Sequence, residues 1–282
     1  MSDTLTVTRA SLEEWLQIAE WAADEGWNPG NGDAACFHPT DPAGFFVGRV
    51  GGEVVSAISI VTYSDDYAFL GHYLVRPDLR GRGHGLATWR AAFAHAGNRL
   101  VGLDAVPAQQ GNYERSGFAP DYGTVRYAGT VRPSGAPAEG TAPVTADLLD
   151  EIRAYDRECF PADRGGFVAR WVTAPGHHAR ARLRDGRLTG YGVIRPGRDS
   201  HRIGPLFADT REDAEALLDG LTAHLTPGDR IAVDMPQEHT TATELALSRG
   251  LEAQFPTVRM YTGPAPKVRA DRVYGVTTLE LG

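Results

Sequence analysis

Lysine is almost absent from this 282-residue sequence: of its 28 basic residues, Lys267 alone is not an arginine. Walker-type phosphate loops and Schiff-base active sites both require a lysine, and position 267, with proline and arginine close by, suits neither. Cysteine is nearly as scarce, and Cys36 and Cys159 have no partner at ligand spacing. The sequence therefore predicts no disulfide framework and no metal site, and we interpret both cysteines as small buried residues.

Long hydrophobic runs are also missing. No stretch of about 18 apolar residues occurs, and the first residues have neither the basic nor the apolar region of a signal peptide. We therefore expect a cytoplasmic protein without a membrane partner. The 36 acidic residues outnumber the 28 basic ones and give a net charge of −8, which argues against a nucleic-acid partner and favours a cationic substrate.

Length and composition indicate two domains. A chain of 282 residues, 42% of them hydrophobic, can bury two separate cores. Residues 133–143 combine proline, glycine and small residues without an apolar period, which is typical of a linker. The sequence thus predicts a first domain over residues 1–132 and a second over residues 144–282.

The two halves contain matching short segments. LDAVPAQ, which begins at Leu103, is similar to VDMPQE from Val233, and TVRYAG from Thr124 is similar to TVRMYTG from Thr257. Such pairs indicate a duplicated fold. Hydrophobic periodicity predicts the same order in each half: a helix, antiparallel strands, then a strand, a helix, a strand, a short helix and a last strand.

The predicted elements follow from this periodicity and from capping signals such as Ser11 before Glu14. The predicted helices cover 12–23, 86–96, 146–160, 212–225 and 241–249, and the predicted strands cover 45–50, 54–63, 68–75, 99–106, 202–207, 230–235 and 257–262, with a hairpin over 179–193. Residues 26–32 are predicted to form an exposed loop. Whether the tail, 272–281, pairs within the second half or crosses to the first is open.

The strongest local signal is YLVRPDLRGRGHG over residues 73–85, an apolar strand that runs into a glycine-rich loop and opens a helix. Its glycines let several backbone N–H groups converge, the helix N-terminus adds partial positive charge, and Arg80 and Arg82 add full charges. The loop is therefore predicted to bind a pyrophosphate. A Rossmann fingerprint fails here, because Leu86 and Thr88 stand where its last glycine would be.

The spacing that remains is R-x-x-G-x-G, with Arg80, Gly83 and Gly85, and it follows V-x-P at the end of the strand. In this form it resembles the acetyl-CoA loop of the GNAT superfamily of N-acetyltransferases. The segment YERSGF over residues 113–118 also resembles the family's Y-x-x-x-G-F, at the expected distance.

The resemblance covers residues 5–131 and, by topology, residues 144–263. It implies an α/β fold of two tandem acyl-CoA N-acyltransferase-like domains, in which helices flank a central, splayed mixed sheet. It also implies acetyl-CoA as co-substrate, with no metal.

The resemblance further implies which residues would contact acetyl-CoA. The pantetheine arm would lie against the backbone of Leu74 and Val75. The pyrophosphate would lie against Arg80, Gly81, Arg82, Gly83, His84 and Gly85. Tyr113 would protonate the departing sulfur, as a phenol protonated at neutral pH can. Where many members carry an asparagine this chain has Val106, and Asn112 is the candidate replacement.

The general base stays open at this stage, because members of the family take it from different places or use water. His72 has a suitable intrinsic pKa, and Asp104 and Glu25 are the other side-chain candidates. Glu25, Trp27 and Asp33 belong to the segment that the family uses as an acceptor wall. Together they would suit a cationic, partly apolar amine.

The second half is predicted not to bind CoA. It lacks R-x-x-G-x-G, carries Asp209, Glu212 and Asp213 where phosphates would lie, and has Ala246 where Tyr113 would be expected. We interpret it as a degenerate acetyltransferase-like domain that closes the acceptor site or supports a homodimer.

The whole sequence thus predicts an N-acetyltransferase that moves acetyl from acetyl-CoA to the primary amine of a small cationic molecule by direct attack. The residues do not exclude the transfer of a longer acyl group, because chain length depends on the shape of the pocket. The alternative from another class is a catalytically silent acyl-CoA-binding or sensing protein.

Overall fold

The computed structural model describes residues 4–131, 136 and 138–282. The helices of this part are α1 (Leu12–Asp24), α2 (Asp33–Phe37), α3 (His84–Phe93), α4 (Gln110–Arg115), α5 (Leu149–Cys159), α6 (Gly165–Thr173), α7 (Arg211–Thr222) and α8 (Thr240–Ser248). None of them is both long and apolar enough to cross a bilayer.

The strands of the first half are β1 (Thr6–Arg9), β2 (Phe45–Val50), β3 (Glu53–Thr62), β4 (Tyr67–Val75), β5 (Leu100–Ala105) and β6 (Ala119–Thr130). Those of the second half are β7 (Thr141–Pro143), β8 (His178–Arg184), β9 (Arg187–Arg195), β10 (His201–Ala208), β11 (Arg230–Pro236), β12 (Glu252–Tyr261) and β13 (Val273–Gly275). The predicted linker 133–143 lies partly outside the described residues, and its last three residues form β7.

One mixed sheet runs through both halves, in the order β1-β2-β3-β4-β5-β12-β6-β11-β10-β9-β8-β7, and β13 pairs with β10. The halves exchange their last long strands: β12 pairs with β5 of the first half, while β6 pairs with β11 of the second. The exchanged strands also pair with each other. Each half therefore completes its sheet with a strand of the other.

The helices divide between the two faces of this sheet. The face covered by α1, α2, α5 and α6, called the joint face below, carries one apolar cluster with residues from both halves. Phe37 of α2 and Trp171 of α6 stack there at 5.7 Å between ring centroids. Helices α3 and α4 pack on the opposite face of the first half, and α7 and α8 on that face of the second.

Local signals placed most of the elements correctly. The capping box of α1 is present, since the Glu14 N–H donates to the Ser11 hydroxyl and the Ser11 N–H donates to the Glu14 carboxylate. Helix α6 was not predicted, because it opens with two glycines, which lower helix propensity. Its stability comes from packing on the joint face.

The prediction of an exposed loop at residues 26–32 is wrong for its middle part. Asn28, Pro29 and Gly30 are buried. The Asn28 side-chain amide donates to the Ser200 hydroxyl at 2.8 Å. The polar composition of this loop therefore serves contact with the second half.

Candidate functional site

The gap between β4 and β5 holds the candidate site. Residues 67–70 of β4 pair in parallel with residues 100–103 of β5, and beyond them the strands diverge. A β-bulge at His72 and Tyr73, opposite Ile58, bends β4 at this point, and His72 takes a φ of +46°. A cavity of about 480 Å³ fills the space between the strands, as expected for a splayed sheet.

The glycine-rich loop closes one end of this cavity. Gly81 and Gly83 have φ angles of +77° and +82°, which other residues adopt only with strain. A Cβ atom on Gly85 would lie 2.8 Å from the Tyr73 hydroxyl, so only glycine lets α3 approach β4 this closely. Of the predicted CoA contacts, those that line the cavity are Leu74, Val75, Arg80, Gly81, Gly83, His84 and Gly85.

Arg80 also has partners within the protein, and the predicted CoA contacts outside the cavity lining are Arg82 and Asn112. Arg80 ion-pairs with Glu25 and donates through Nε to the Val75 carbonyl oxygen at 3.1 Å. Arg82 is exposed. Asn112 is also exposed, and its amide donates to Gln109, which does line the cavity.

Tyr113 of α4 lines the cavity beside helix α3. Its ring lies 5.8 Å from that of Trp89 and 6.1 Å from that of Phe118. Burial raises the pKa of the Tyr113 phenol. The hydroxyl is therefore protonated throughout the neutral range and able to donate a proton.

His72 is 3% exposed and lines the same cavity. Its ring meets those of Trp15 and Phe37 edge-on, at 5.2 and 5.9 Å. Burial lowers the pKa of His72 to about 4. The imidazole is therefore neutral at pH 7 but a weak proton acceptor.

Asp104 has a fully buried side chain that binds Arg259 through both carboxylate oxygens, at 2.9 and 2.8 Å. Asp234 binds Arg126 in the same way, at 2.8 and 3.2 Å. In each pair the two residues are partners across neighbouring strands, and one comes from each half. Asp104 thus has an equivalent in the half without the glycine loop, which indicates a shared structural task.

The three residues predicted to form the acceptor wall lie in different surroundings. Trp27 lines the cavity, and its carbonyl oxygen accepts from Arg126 Nη1 at 2.7 Å. Glu25 lies at the cavity rim beside Arg80. Asp33 is held in a buried ion pair with Arg195 of the second half, at 2.6 and 3.0 Å.

Sequence reasoning missed the far wall of the cavity, which is built from strands β6 and β12 and the tail. The residues concerned are Arg126, Phe255, Thr257, Leu279 and Glu280. A signal for two of them existed, because Arg126 and Thr257 belong to the repeated TVR segments. Nothing in the pattern marked the tail.

The equivalent gap in the second half is filled by the chain itself. Residues 201–203 of β10 pair with residues 231–233 of β11, and then β13 enters between the strands. Gly275 pairs with Leu206, and the Val276 N–H donates to the Asp234 carbonyl at 2.9 Å. The question left open about the tail is thereby answered: it pairs with β10 first and then crosses to β4.

Replacing Gly71 tests this crossing. A Cβ atom there would overlap the Glu280 carbonyl oxygen. We expect Gly71→Ala to destabilise the protein by about 1–3 kcal/mol, the usual cost of overpacking. Gly166→Ala is the control, because its Cβ has room in α6. Thermal unfolding of both variants checks this, and equal melting temperatures would contradict the seating of the tail on β4.

Comparison with known proteins matches both halves of the chain to acetyltransferase models. A model described as Acetyltransferase (GNAT) family matches residues 12–118, and one described as Acetyltransferase (GNAT) domain matches residues 152–275. The holothin acyltransferase of Pseudoalteromonas sp. (strain SANK 73390) is 34% identical over 279 residues, covering 99% of this chain and 95% of that protein.

Two solved structures share the fold. A putative acetyltransferase from Pyrococcus horikoshii superposes with a TM-score of 0.82 at 21% identity, over 100% of this chain and 97% of that one. A tandem GNAT protein from the clavulanic acid biosynthesis pathway gives a TM-score of 0.65 at 18% identity, over 93% and 100% of the two chains.

Proposed function

Because this chain belongs to the GNAT family of acyltransferases, we propose that it transfers acetyl from acetyl-CoA to the primary amine of a small molecule by direct attack. The resemblance seen in the sequence, and the tandem α/β fold that it implied, are confirmed. The observation that supports the finer proposal is the cavity, which is lined by the glycine loop, by Tyr113, and by Trp27 and Phe255, the last two packed against the apolar cluster of the joint face.

The residues at the loop fit a pyrophosphate. A Cβ atom on Gly81 or Gly83 would meet nothing within 4 Å, so the backbone there is open to a ligand. The first N–H groups of α3 have no partner inside the helix and carry its partial positive charge. Arg80 adds a full charge at the cavity wall. CoA phosphates would bind at this end, and the thioester would reach the bulge of β4.

The chemistry then proceeds in one displacement. The amine nitrogen attacks the thioester carbonyl carbon, a C–N bond forms, and the C–S bond breaks as the tetrahedral intermediate collapses. Tyr113 gives its proton to the sulfur, so that CoA leaves as the thiol. A lysine-like amine, with a pKa of about 10.4, must lose a proton before it can attack.

The proposed acceptor follows from the cavity wall nearest the joint face, which contains two aromatic residues. Trp27 and Phe255 offer aromatic surface in a cavity of about 480 Å³, which suits a small molecule better than a protein segment. The relative at 34% identity is named for acylation of holothin, so holothin belongs in the acceptor panel beside alkyl amines and arylamines.

Calorimetric titration with acetyl-CoA tests the donor. We expect one acetyl-CoA per chain, because β13 fills the gap of the second half. Arg80→Ala should weaken binding about 10- to 100-fold, as expected for the loss of a charged hydrogen bond to phosphate. Arg211→Ala, at the N-terminus of α7, is the matched control and should leave the affinity unchanged.

Two results of this titration would change the proposal. Binding of two acetyl-CoA molecules per chain would give the second half a site of its own. An unmeasurable affinity would remove acetyl-CoA as donor and direct the search to longer acyl-CoA molecules. Thiol release with the amine panel then identifies the acceptor class.

A further inference from the structure

We infer that Glu280, in the tail of the second half, is the general base that takes the proton from the acceptor amine in the first-half site. This inference rests on the proposed function, since it deepens the amine-transfer reaction. The second half would then contribute a catalytic residue to the first, by means of the segment that also fills its own gap.

The tail is held in place before it reaches the site. A Cβ atom on Gly204 of β10 would overlap the Thr277 carbonyl oxygen, so this glycine admits the tail backbone. Further along, Gly71 of β4 admits the Glu280 carbonyl in the same way. The tail is therefore packed against both bent strands, at positions where the sequence supplies glycine.

The residues after Glu280 are anchored as well. The Tyr63 hydroxyl donates to the Leu281 carbonyl oxygen at 2.9 Å. Arg164 Nη1 donates to the Gly282 carbonyl oxygen at 3.0 Å, and the Arg164 guanidinium is itself paired with Asp156. With fixed backbone on both sides, Glu280 is held beside the bulge of β4.

Among the described residues, three carboxylates line the cavity, and they differ in their partners. Glu25 is paired with Arg80, and Asp104 is bound at both oxygens by Arg259. Glu280 is 5% exposed, and within the described part of the chain its carboxylate accepts no hydrogen bond. It is therefore the carboxylate that can accept a proton without first breaking an ion pair.

The charges around Glu280 suit this role. Burial raises its pKa, while Arg202 and Arg126 oppose the rise and Asp33 and Asp234 add to it. A carboxylate with a raised pKa is a stronger base than an exposed glutamate. The uncharged ring of His72 lies at the same bulge. The groups that face Glu280 thus come from α2, β4, β6, β10 and β11.

The proton balance is complete with the residues present. The proton from the amine nitrogen goes to Glu280 as the C–N bond forms, and the sulfur receives its proton from Tyr113 as the C–S bond breaks. After product release, Glu280 gives up its proton to solvent and Tyr113 regains one. The sum is acetyl-CoA plus amine to amide plus CoA thiol.

Glu280→Gln is the test, because it keeps the shape of the side chain and removes the base. With acetyl-CoA and the amine panel, we expect kcat to fall by about 100-fold or more, while the acetyl-CoA affinity is unchanged. The acid limb of the kcat/KM profile, which reports a group that must be deprotonated, should disappear. Glu252→Gln, at an exposed position of β12, is the matched control and should behave as the unmodified protein.

Each outcome decides between the claims. Thiol release by Glu280→Gln at the normal rate, with the acid limb intact, would overturn the role of Glu280 but leave amine transfer standing. A wild-type protein that binds acetyl-CoA but acylates no amine would overturn the proposed function, and this inference with it. If Glu280→Gln is poorly folded, Glu280→Asp decides: a slower enzyme that keeps the acid limb supports the role, and one that loses the limb contradicts it.

Discussion

Tyr113→Phe is expected to lower kcat by about 100-fold or more, because a general acid commonly contributes that much to a proton-transfer step. The Tyr113 hydroxyl donates its proton only as the thiolate leaves and is not needed for binding. The KM for acetyl-CoA should therefore stay the same. Burial raises the pKa of the phenol, and the basic limb of the wild-type profile should therefore lie above the usual pKa of tyrosine. Steady-state thiol release across pH measures both effects.

Tyr73 supplies the control for this experiment. It lines the same cavity, its ring packs on Trp89 at 5.3 Å, and burial raises the pKa of its phenol too. Tyr73→Phe should leave kcat within a few fold of wild type, since the role of Tyr73 is to pack β4 against α3. Should the large loss appear in Tyr73→Phe and not in Tyr113→Phe, the acid would be Tyr73.

Asp104→Asn is expected to destabilise the fold by about 3–5 kcal/mol, because it leaves the buried charge of Arg259 without a counterion. For a chain of this size that loss lowers the melting temperature by roughly 10 °C. Asp234→Asn should cost at least as much, since Asp234 binds both Arg126 and Arg202. Burial alone would raise the pKa of Asp234, but these two arginines outweigh it and lower that pKa to about 2.

Comparison of Asp104→Asn with Asp234→Asn also distinguishes a structural role of Asp104 from a catalytic one. Below both melting temperatures, we expect folded Asp104→Asn to keep its acid limb and most of its kcat, because Arg259 occupies both oxygens of this carboxylate. Loss of the acid limb in Asp104→Asn, with Asp234→Asn unaffected, would instead assign the base to Asp104. Chemical denaturation and the kcat/KM profile together give the answer.

The repeated segments contain the residues of two buried ion pairs between the halves. Asp104 and Asp234 belong to one repeated pair, and Arg126 and Arg259 belong to the other. Read alone, the repeats indicated duplication. In the structure, each aspartate binds the arginine of the opposite half, because the last strands are exchanged. The residues were visible in the sequence, but their pairing was not, since it joins positions 108 and 155 residues apart.

The glycine loop was predictable because the function that we propose for it is local. Phosphate binding needs a run of backbone N–H groups, positive φ angles and a helix N-terminus, and all of these lie within residues 73–85. The burial of residues 28–30 and the helix α6 were not predictable in this way. Both depend on contact between the halves, and nothing near them in sequence encodes that contact.

The sequence by itself determined the family, the mixed α/β fold, the glycine-rich loop and the presence of Tyr113 in the candidate site, because hydrophobic period, turn chemistry and short motifs act over a few residues. The tertiary structure alone decided that the halves share one sheet and that β13 fills the second gap. It also decided that Glu280 lies beside β4. These features arise from strand pairing and close backbone packing between distant segments, which a periodic pattern leaves undetermined.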